Sequence, residues 1–312
     1  MMAQRKHRGR DQGVAEPPFM RGLRGRLRAD EPLARHTSWR VGGAAEWFYT
    51  PADKDDLLRL LAQLPAGMPL IWLGLGSNLL VRDGGVAGMV VRTAKGLTAL
   101  RLEKSGRGSV EAGVSCAKVA RAAAAANLSG AEFLSGVPGS FGGALAMNAG
   151  AFGGETWDWV DSVEVVSRDG RVRKLPAADI AVGYRQVELP AGHGLLSADI
   201  ALQPGGRDGK QRIRRLMEKR GATQPVTHAS AGSVFRNPPG DFAARLIEAA
   251  GLKGARAGDA AVSDTHANFI INRGRATAAD IEKLLERIRR EVKAHAGVDL
   301  IPEVRIIGRH PS

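Results

Sequence analysis

A glycine-rich stretch in the middle of the chain constrains the fold more than any other segment. Residues 135–155 have the sequence SGVPGSFGGALAMNAGAFGGE, and seven of them are glycine. Apolar residues such as Val137, Phe141 and Leu145 recur through the stretch, so it is not a flexible linker. Glycine allows tight turns and lets the backbone approach a ligand closely. The stretch therefore predicts a packed loop against a bound molecule, with a purely structural turn as the alternative.

A second glycine-rich segment, GLGSNLLVRDGG, occupies residues 74–85. It begins like a dinucleotide-binding fingerprint, but the third glycine and the following helix are missing, and Asp83 comes too early to be the acidic residue of that motif. Backbone N–H groups in such a turn can still bind a phosphate, although a β-hairpin corner is the alternative. Two such loops in adjoining units favour one extended ligand with a pyrophosphate bridge.

The charge distribution favours small anionic ligands over nucleic acid. The net charge is +13, but residues 1–28 carry eight Lys and Arg residues against two acidic residues, which is nearly half of the excess. The rest of the chain is only moderately basic, whereas a nucleic-acid-binding domain carries its basic residues in a dense patch or stripe. We therefore predict no nucleic-acid partner.

Cysteine content and hydropathy indicate the compartment. The chain has one cysteine, Cys116, so no intramolecular disulfide can form, which is typical of a reducing compartment. The basic N-terminus is not followed by the apolar segment of a signal peptide, and no window approaches the roughly 18 apolar residues of a membrane span. The sequence predicts a cytoplasmic protein without membrane insertion.

Hydrophobic periodicity divides the chain into three units that each mix helices and strands. The chain has 312 residues, more than one hydrophobic core usually spans. Helices are predicted at 53–64 and 116–126, and a β-hairpin around Asp169 and Gly170. The predicted parts are a basic, disordered tail at 1–20, a first unit at 21–95, a second unit at 96–204 and a third unit at 205–312.

The third unit has the clearest helix signals. Residues 277–297 begin with the capping-box spacing of Thr277 and Asp280 and end at Gly297. A shorter helix at 241–251 has Asp241 as its predicted N-cap. Strands are predicted at HANFIIN and VDLIPEVRIIG, and in the first unit at NLLVRD and GMVVRT, on either side of a turn.

Three residues are candidates for chemistry, and each also has a purely structural interpretation. Ser233 is not part of a GxSxG nucleophile elbow and is otherwise a turn serine. Arg185 can hold a carboxylate with two parallel hydrogen bonds, but most arginines lie on the surface. Glu303 follows Ile301 on one strand face, so it is either exposed at an edge or directed into a site. No Cys/His cluster has zinc-ligand spacing, so no metal is expected.

Eight segments match one known family in order, over roughly residues 20–308: HTSWRVGGAAEWF, GLGSNLLVRDGG, SGVPGSFGGALAMNAGAFGGE, GYR, QPVTHASAGSVFRNP, AARLIEAAGLKG, SDTHANFIIN and IPEVRIIG. The chain resembles the UDP-N-acetylenolpyruvoylglucosamine reductase family. The resemblance implies an α+β fold: a two-subdomain FAD-binding fold of the vanillyl-alcohol-oxidase type, followed by a C-terminal α+β substrate-binding domain. It also implies that the glycine-rich backbone lies against FAD.

The resemblance implies a role for individual residues. Ser233 is implied to be the proton donor, with Arg185 and Glu303 stabilising the enolate that forms. His266 and Asn268 are expected to hold the site together. The implied substrate contacts are Tyr184, Gln224, Arg236 and Asn237. The implied FAD contacts are Gly74, Gly76, Ser77, Asn78, Leu79, Gly136, Pro138, Gly139, Ser140, Gly142, Gly143, Asn148 and Gly150.

The activity implied by the resemblance is the NADPH-dependent reduction of UDP-N-acetylglucosamine enolpyruvate to UDP-N-acetylmuramate by a monomeric, cytoplasmic flavoenzyme. The TQP at 223–225 is typical of the shorter class of this family, which lacks the tyrosine loop of the longer class between Arg185 and Ser233. How the shorter class closes over the substrate diphosphate is therefore an open question. The alternatives are an oxidase or dehydrogenase of another small molecule on the same fold, and a catalytically inactive binding protein.

Overall fold

The computed structural model describes residues 17–311 of the chain. Most of the tail predicted at 1–20 therefore lies outside the described residues. Phe19 and Met20 are buried and belong to the same hydrophobic core as Tyr49 and Leu60. Because these side chains remove apolar surface from water, the folded part of the chain begins before residue 21, earlier than the predicted boundary.

Apolar runs in the first unit form a four-stranded sheet with one helix. The elements are β1 (Arg26–Pro32), β2 (Ala44–Thr50), α1 (Lys54–Gln63), β3 (Leu70–Leu73), β4 (Leu79–Val81) and β5 (Val86–Arg92). The sheet order is β1-β2-β5-β3, in which β2, β5 and β3 are parallel and β1 is antiparallel to β2. The predicted helix at 53–64 is confirmed, and the Asp53 side chain caps it by accepting from the Asp56 N–H.

The second unit is built on a five-stranded antiparallel sheet in the order β12-β11-β15-β7-β6. Its elements are β6 (Leu100–Leu102), β7 (Arg107–Glu111), α2 (Cys116–Ala125), β8 (Leu128–Ser129), α3 (Phe141–Ala146), β9 (Gly150–Ala151), β10 (Gly154–Glu155), β11 (Val160–Val166), β12 (Val172–Pro176), β13 (Val182–Gly183), β14 (Gln186–Val187), β15 (Gly194–Ala201) and β16 (Gln203–Pro204). The predicted hairpin is confirmed by the pairing of β11 with β12. The predicted helix at 116–126 is confirmed as α2.

Helix α4 (Gly209–Thr223) packs on the second unit, although the sequence suggested that the third unit begins at residue 205. Arg212 forms an ion pair with Glu132, and Ile213 packs against the core of the second unit. Gly209 lies so close to α2 that a Cβ there would come within 2.9 Å of the Ala124 Cβ. The apolar face of α4 is therefore covered by the second unit, and the C-terminal unit follows this helix.

The C-terminal unit packs a long helix on a small antiparallel sheet of order β17-β18-β19. Its elements are α5 (Ala243–Ala249), β17 (Arg256–Ala257), β18 (Ala260–Val262), β19 (Ile270–Asn272), α6 (Ala278–Ala296) and β20 (Arg305–Ile307). Helix α6 has the predicted capping box of Thr277 and Asp280 and ends at Gly297 in a left-handed conformation. Short 3-10 turns lie at Pro18–Met20, Leu33–Arg35, Thr93–Lys95, Glu132–Gly136, Thr156–Trp159 and Ala177–Asp179.

Two local predictions for this unit are wrong. Helix α5 begins later than expected, and Asp241 does not cap it but forms an ion pair with Arg245. The Asn237 side chain instead accepts a hydrogen bond from the Ala243 N–H, 3.1 Å away. The predicted strand HANFIIN begins only at Ile270. Asn268 lies in the preceding turn, where its backbone carbonyl accepts from the Val234 N–H.

Strands β4 and β5 do not form the hairpin that was the alternative for the segment 74–85. Strand β4 pairs in parallel with β20 near the other end of the chain, with Leu80 opposite Ile306. Strand β5 pairs with β2 and β3. The segment therefore leaves the first sheet and joins the C-terminal unit, which brings residues near 78 beside residues near 303.

The first unit contributes to both large hydrophobic cores. Tyr49 and Leu57 belong to a core shared with the second unit, while Trp39 and Leu80 belong to the core of the C-terminal unit. The Trp39 Nε1–H donates to the Ile270 carbonyl at 2.7 Å. The first unit thus lies between the other two, and a cavity forms where all three meet. Across residues 17–311 we find no helix that is long and apolar enough to cross a membrane.

Candidate active site

The cavity has a volume of about 490 Å³. Its walls come from both glycine-rich loops, from the turn that carries Arg185, from the end of α4, and from two segments of the C-terminal unit that carry Ser233 and Glu303. The volume lies in the range of small-molecule and cofactor sites. In the described part of the chain no group of His, Cys, Asp and Glu residues is arranged to bind a metal ion.

The two glycine-rich loops form one wall by packing directly on each other. A Cβ at Gly74 would come within 2.1 Å of the Ser140 Oγ, and a Cβ at Gly139 would come within 2.6 Å of the Ser77 Oγ. The Ser77 hydroxyl donates to the Pro138 carbonyl at 2.8 Å. Part of the glycine content is therefore required by contact between the loops rather than by a ligand, which the sequence alone did not indicate.

The same wall presents backbone groups that suit a pyrophosphate. The N–H groups of Gly76, Ser77 and Asn78 donate to no protein acceptor within residues 17–311, although the three residues line the cavity. Successive free N–H groups of this kind bind phosphate oxygens. At Gly143 a Cβ would meet only the Ser140 Oγ, at 3.5 Å, so glycine is not required there by the protein and leaves room for a ligand. These residues fit FAD.

Arg185 lies in the two-residue turn between β13 and β14 and has a left-handed backbone, with φ +56°. This conformation is uncommon for a residue with a Cβ and is often found at functional sites. The guanidinium is held by three bonds: Nε donates to Glu303 Oε1 at 3.1 Å, Nη1 to the Asn148 carbonyl at 3.2 Å, and Nη2 to the Gly150 carbonyl at 2.8 Å. The Arg185 side chain is thus fixed in the cavity rather than free on the surface.

Asn148 positions that turn from a place outside the cavity lining. It is buried, has a left-handed backbone and does not line the cavity. Its Nδ2 donates to Glu155 Oε2 at 2.7 Å and to the Gly183 carbonyl at 3.3 Å, and its Oδ1 accepts from the Trp157 N–H at 3.2 Å. The implied FAD contact is therefore placed behind the wall, where it links the glycine-rich stretch to the turn before Arg185.

Among residues 17–311, Glu303 is the only acidic residue that lines the cavity, and its side chain is 12% exposed. Burial raises the pKa of the Glu303 carboxyl, while the charges of Arg185 and Arg236 act in the opposite direction. Of the two interpretations of Glu303, the structure thus selects the one in which the side chain points into the site. The backbone carbonyl of Glu303 accepts from Asn78 Nδ2 at 3.1 Å, which ties it to the first glycine-rich loop.

Ser233 is held beside Glu303 by two backbone hydrogen bonds between their segments. The Glu303 N–H donates to the Val234 carbonyl at 2.8 Å, and the Arg236 N–H donates to the Ile301 carbonyl at 2.9 Å. On the other side, the buried Asn268 side chain bonds both backbone groups of Phe235, accepting from its N–H at 3.0 Å and donating to its carbonyl at 2.8 Å. The segment that carries the Ser233 hydroxyl is therefore fixed from two directions.

Comparison with known proteins agrees with this geometry. Residues 224–307 match the model of the UDP-N-acetylenolpyruvoylglucosamine reductase C-terminal domain, and residues 45–176 match an FAD binding domain. A UDP-N-acetylenolpyruvoylglucosamine reductase from Alkalilimnicola ehrlichii is 55% identical over 92% of this chain and 97% of its own. One from Methylococcus capsulatus is 55% identical over 91% of this chain and 94% of its own.

The chain belongs to the UDP-N-acetylenolpyruvoylglucosamine reductase family. The crystal structure of the family member from Thermus caldophilus is 35% identical to it, with a TM-score of 0.77, and the match covers 91% of this chain and 99% of that one. The predicted fold class is thereby confirmed as an FAD-binding domain followed by an α+β C-terminal domain.

Most of the residues that the family resemblance singled out lie on one cavity. Gly142 does not line it, because Gly142 packs against Ala112 so closely that a Cβ would come within 2.7 Å. Arg236 does not line it either, and its Nε is buried without a hydrogen-bond partner in the described residues. The cavity is lined by Ser233, Arg185, Glu303, Tyr184, Gln224, Asn237, Gly74, Gly76, Ser77, Asn78, Leu79, Gly136, Pro138, Gly139, Ser140, Gly143 and Gly150.

Among the lining residues that the sequence reasoning missed, three carry a charge or an aromatic ring suited to a ligand. Arg305 and Arg220 bring positive charge to the cavity, and Phe152 presents an exposed aromatic ring. Arg305 begins β20, two residues after Glu303, and that spacing within the predicted strand VDLIPEVRIIG was an available signal. Arg220 lies one helical turn before Gln224, and that i, i+4 spacing was the signal that would have placed both side chains on one face of α4.

Proposed function

We propose that this chain is an NADPH-dependent flavoenzyme that reduces UDP-N-acetylglucosamine enolpyruvate to UDP-N-acetylmuramate. FAD is the cofactor and NADPH the reductant, as the family membership and the matched FAD binding domain support. The observation that carries the proposal is that Ser233, Arg185 and Glu303, from three distant segments, line one cavity together with the loops that fit FAD. An unrelated activity on this fold would not require these three groups together.

We assign the cofactor contacts to the wall formed by the two glycine-rich loops. The free N–H groups of Gly76, Ser77 and Asn78 would hold the FAD pyrophosphate, and Gly143 would leave space beside it. When bound, FAD supplies the capacity to take a hydride from NADPH and to pass it to the vinyl carbon remote from the substrate carboxylate.

Arg185 and Glu303 are proposed to stabilise the charge that develops on the substrate. Hydride addition leaves negative charge on the neighbouring carbon and its carboxylate, as an enolate. The Arg185 guanidinium is already oriented by its backbone bonds, so it can meet this charge without reorganisation. Glu303 Oε1 accepts from Arg185 Nε at 3.1 Å and so holds the guanidinium towards this charge, while burial raises the pKa of the Glu303 carboxyl.

Ser233 is proposed to complete the reaction by giving its hydroxyl proton to the carbon beside the carboxylate. A hydroxyl is a weak acid, but the enolate is a strong base, so a well-positioned O–H is sufficient. The rigid attachment of the 233–236 segment would provide that position.

We propose that the enzyme has the cellular role and compartment that its family implies. The product would serve peptidoglycan precursor synthesis and thereby cell-wall biogenesis, cell shape, cell division and the cell cycle. A single cysteine and a cavity complete within one chain support a cytoplasmic, monomeric enzyme.

The proposed activity is tested by the absorbance of the purified protein: as isolated, after anaerobic NADPH, and after UDP-N-acetylglucosamine enolpyruvate. Flavin absorbance that bleaches with NADPH and recovers with the substrate is the expected result. Bleaching without recovery would indicate an oxidase or dehydrogenase with another substrate. A protein that contains and binds no flavin would favour the inactive binding protein.

The role of Ser233 is tested by Ser233→Ala in the same experiment. We expect bleaching by NADPH at close to the normal rate and recovery slowed at least about 100-fold, as for loss of a general acid. Ser233→Cys, which retains a proton donor, is the matched control and should recover part of the rate. Equal slowing of both steps by the alanine variant would contradict the proton-donor role.

A further inference from the structure

The charged residues that line the cavity are not balanced. In the part of the chain that the structure describes, three lining arginines, Arg185, Arg220 and Arg305, face one carboxylate, Glu303. Glu303 is paired with Arg185, while Arg220 and Arg305 have no carboxylate within ion-pair distance in residues 17–311. Two positive charges are therefore available for anionic ligands.

Arg305 is part of the wall that fits the cofactor. Its backbone N–H donates to the Asn78 carbonyl at 3.0 Å, so it is attached to the first glycine-rich loop. Arg220 is attached to neither loop. It lies in the last turn of α4, and its bonded partner is Gln224, whose Oε1 accepts from Arg220 Nε at 3.1 Å.

Arg220 differs from the other three arginines of helix α4, because two of them are ion-paired and the third, Arg215, is exposed. Arg212 is paired with Glu132, and Arg214 is paired with Glu218. Arg220 is partly buried, burial lowers its pKa, and no carboxylate within the described residues compensates for that loss of solvation. Its terminal nitrogens donate to no residue in 17–311, so they retain hydrogen bonds that a ligand can accept.

A cation near a helix C-terminus is favourable by itself, because it interacts with the helix dipole. That effect explains a positive charge at this position, but it does not require the charge to be half-buried in a cavity wall. Nor does it explain why the neutral amide of Gln224, another cavity residue, orients the guanidinium. A guanidinium with free terminal N–H groups in a fixed plane is suited to phosphate oxygens.

We propose that Arg220, oriented by Gln224, binds the diphosphate of the UDP-sugar substrate. This inference rests on the proposed function. It describes how the substrate diphosphate is held in a chain without the tyrosine loop. NADPH also brings phosphates into this cavity once FAD is bound, so the experiment separates binding of the UDP-sugar from binding of NADPH.

The test compares the flavin-loaded wild type with Arg220→Gln and Arg220→Lys. Arg215→Gln, an exposed position on the same helix, is the matched control. Dissociation constants are measured by flavin fluorescence or absorbance titration with UDP, with uridine, which has no phosphate, and with NADP+. The half-reactions with NADPH and with UDP-N-acetylglucosamine enolpyruvate are measured in parallel.

We expect Arg220→Gln to weaken UDP binding about 10- to 100-fold, the effect of losing charge-assisted hydrogen bonds. Uridine and NADP+ should bind within about 2-fold of wild type, and the control variant should be unchanged. Arg220→Lys, which keeps the charge but not the planar donors, should be intermediate. Flavin reduction by NADPH should be unaffected, which also shows that the variant is folded.

Several results would overturn the inference. Unchanged UDP binding would exclude Arg220 as a diphosphate contact, and weakened NADP+ binding alone would assign it to the coenzyme. An equal loss for UDP and uridine would indicate a structural effect on the cavity. Absence of UDP binding in the wild type would overturn it as well. If the wild type binds UDP but its reduced flavin is not reoxidised by the enolpyruvyl substrate, the proposed function fails while the diphosphate contact is retained.

Discussion

At the scale of single residues, Asn268 shows how a side chain outside the cavity can control one inside it. Its side-chain amide makes two hydrogen bonds to the backbone of Phe235, and its backbone carbonyl accepts from the Val234 N–H at 2.9 Å. Asn268 is 3% exposed, so water cannot replace these bonds. It therefore supports the segment that presents Ser233, in line with the expectation that it holds the site together.

Asn268→Leu keeps the approximate size of the side chain and removes both amide bonds. We expect the free energy of unfolding to fall by about 1–3 kcal/mol for each backbone group left without a partner. We also expect slower flavin reoxidation by the substrate with little change in reduction by NADPH. Denaturant unfolding and stopped-flow absorbance measure the two effects.

The double variant that combines Asn268→Leu with Ser233→Ala tests whether Asn268 acts through Ser233. Because residues that act as a unit are not additive, the double variant should reoxidise no more slowly than Ser233→Ala alone. Additive losses would contradict the positioning role.

At the scale of elements, helix α6 of the C-terminal unit is capped from the first unit. The Asp83 carboxylate accepts from the Ala278 N–H and from the Ala279 N–H, each at 3.0 Å. Arg82 adds an ion pair to Glu282 in the same helix. A carboxylate at a helix N-terminus satisfies free N–H groups and interacts favourably with the helix dipole. The turn that follows β4 therefore attaches the first unit to the C-terminal unit.

Asp83→Ala should lower the free energy of unfolding by about 1–2 kcal/mol, since it removes this cap. Asp208→Ala is a matched control, because Asp208 precedes α4 without making a side-chain cap bond, and it should change stability little. Equilibrium denaturation of both variants measures the difference. Equal effects of the two substitutions would contradict a specific role for Asp83.

At the scale of the whole molecule, two partly buried histidines make stability depend on pH. Burial is the largest effect on both His36 and His266, and it lowers the pKa of each imidazole. Each imidazole therefore binds a proton less readily in the native state than in the unfolded chain, where histidines titrate near the ordinary pKa of about 6.5. Stability is fully present above that value and is lost as the pH falls towards the lower native pKa values.

Between pH 7.5 and 5.5 we expect the free energy of unfolding to fall, with each histidine contributing at most about 1.4 kcal/mol per pH unit. His266→Gln should make the slope shallower by removing one of the two contributions. Denaturant unfolding at several pH values measures both slopes. A variant slope equal to that of the wild type would show that His266 does not contribute.

The sequence was sufficient for features set by neighbours along the chain. The capping box at Thr277, the hairpin at Asp169 and the helix around Cys116 follow from short-range hydrogen bonds and from apolar spacing, and all were predicted. The predicted N-cap at Asp241 failed because Asn237, four residues earlier, bonds the start of α5 instead. Family resemblance added the candidate catalytic residues, which periodicity and composition left undecided.

By itself, therefore, the sequence determined the local elements, the glycine-rich loops and the family to which the chain belongs. The tertiary structure alone decided that β4 pairs with β20, that Asp83 caps α6, and that Glu303 neutralises Arg185 while Arg220 keeps an unmatched charge. The physical reason is the distance along the chain over which each interaction acts. Backbone propensity and burial period act over a few residues, whereas the Arg185–Glu303 ion pair joins residues 118 positions apart and exists only once three units have packed around one cavity.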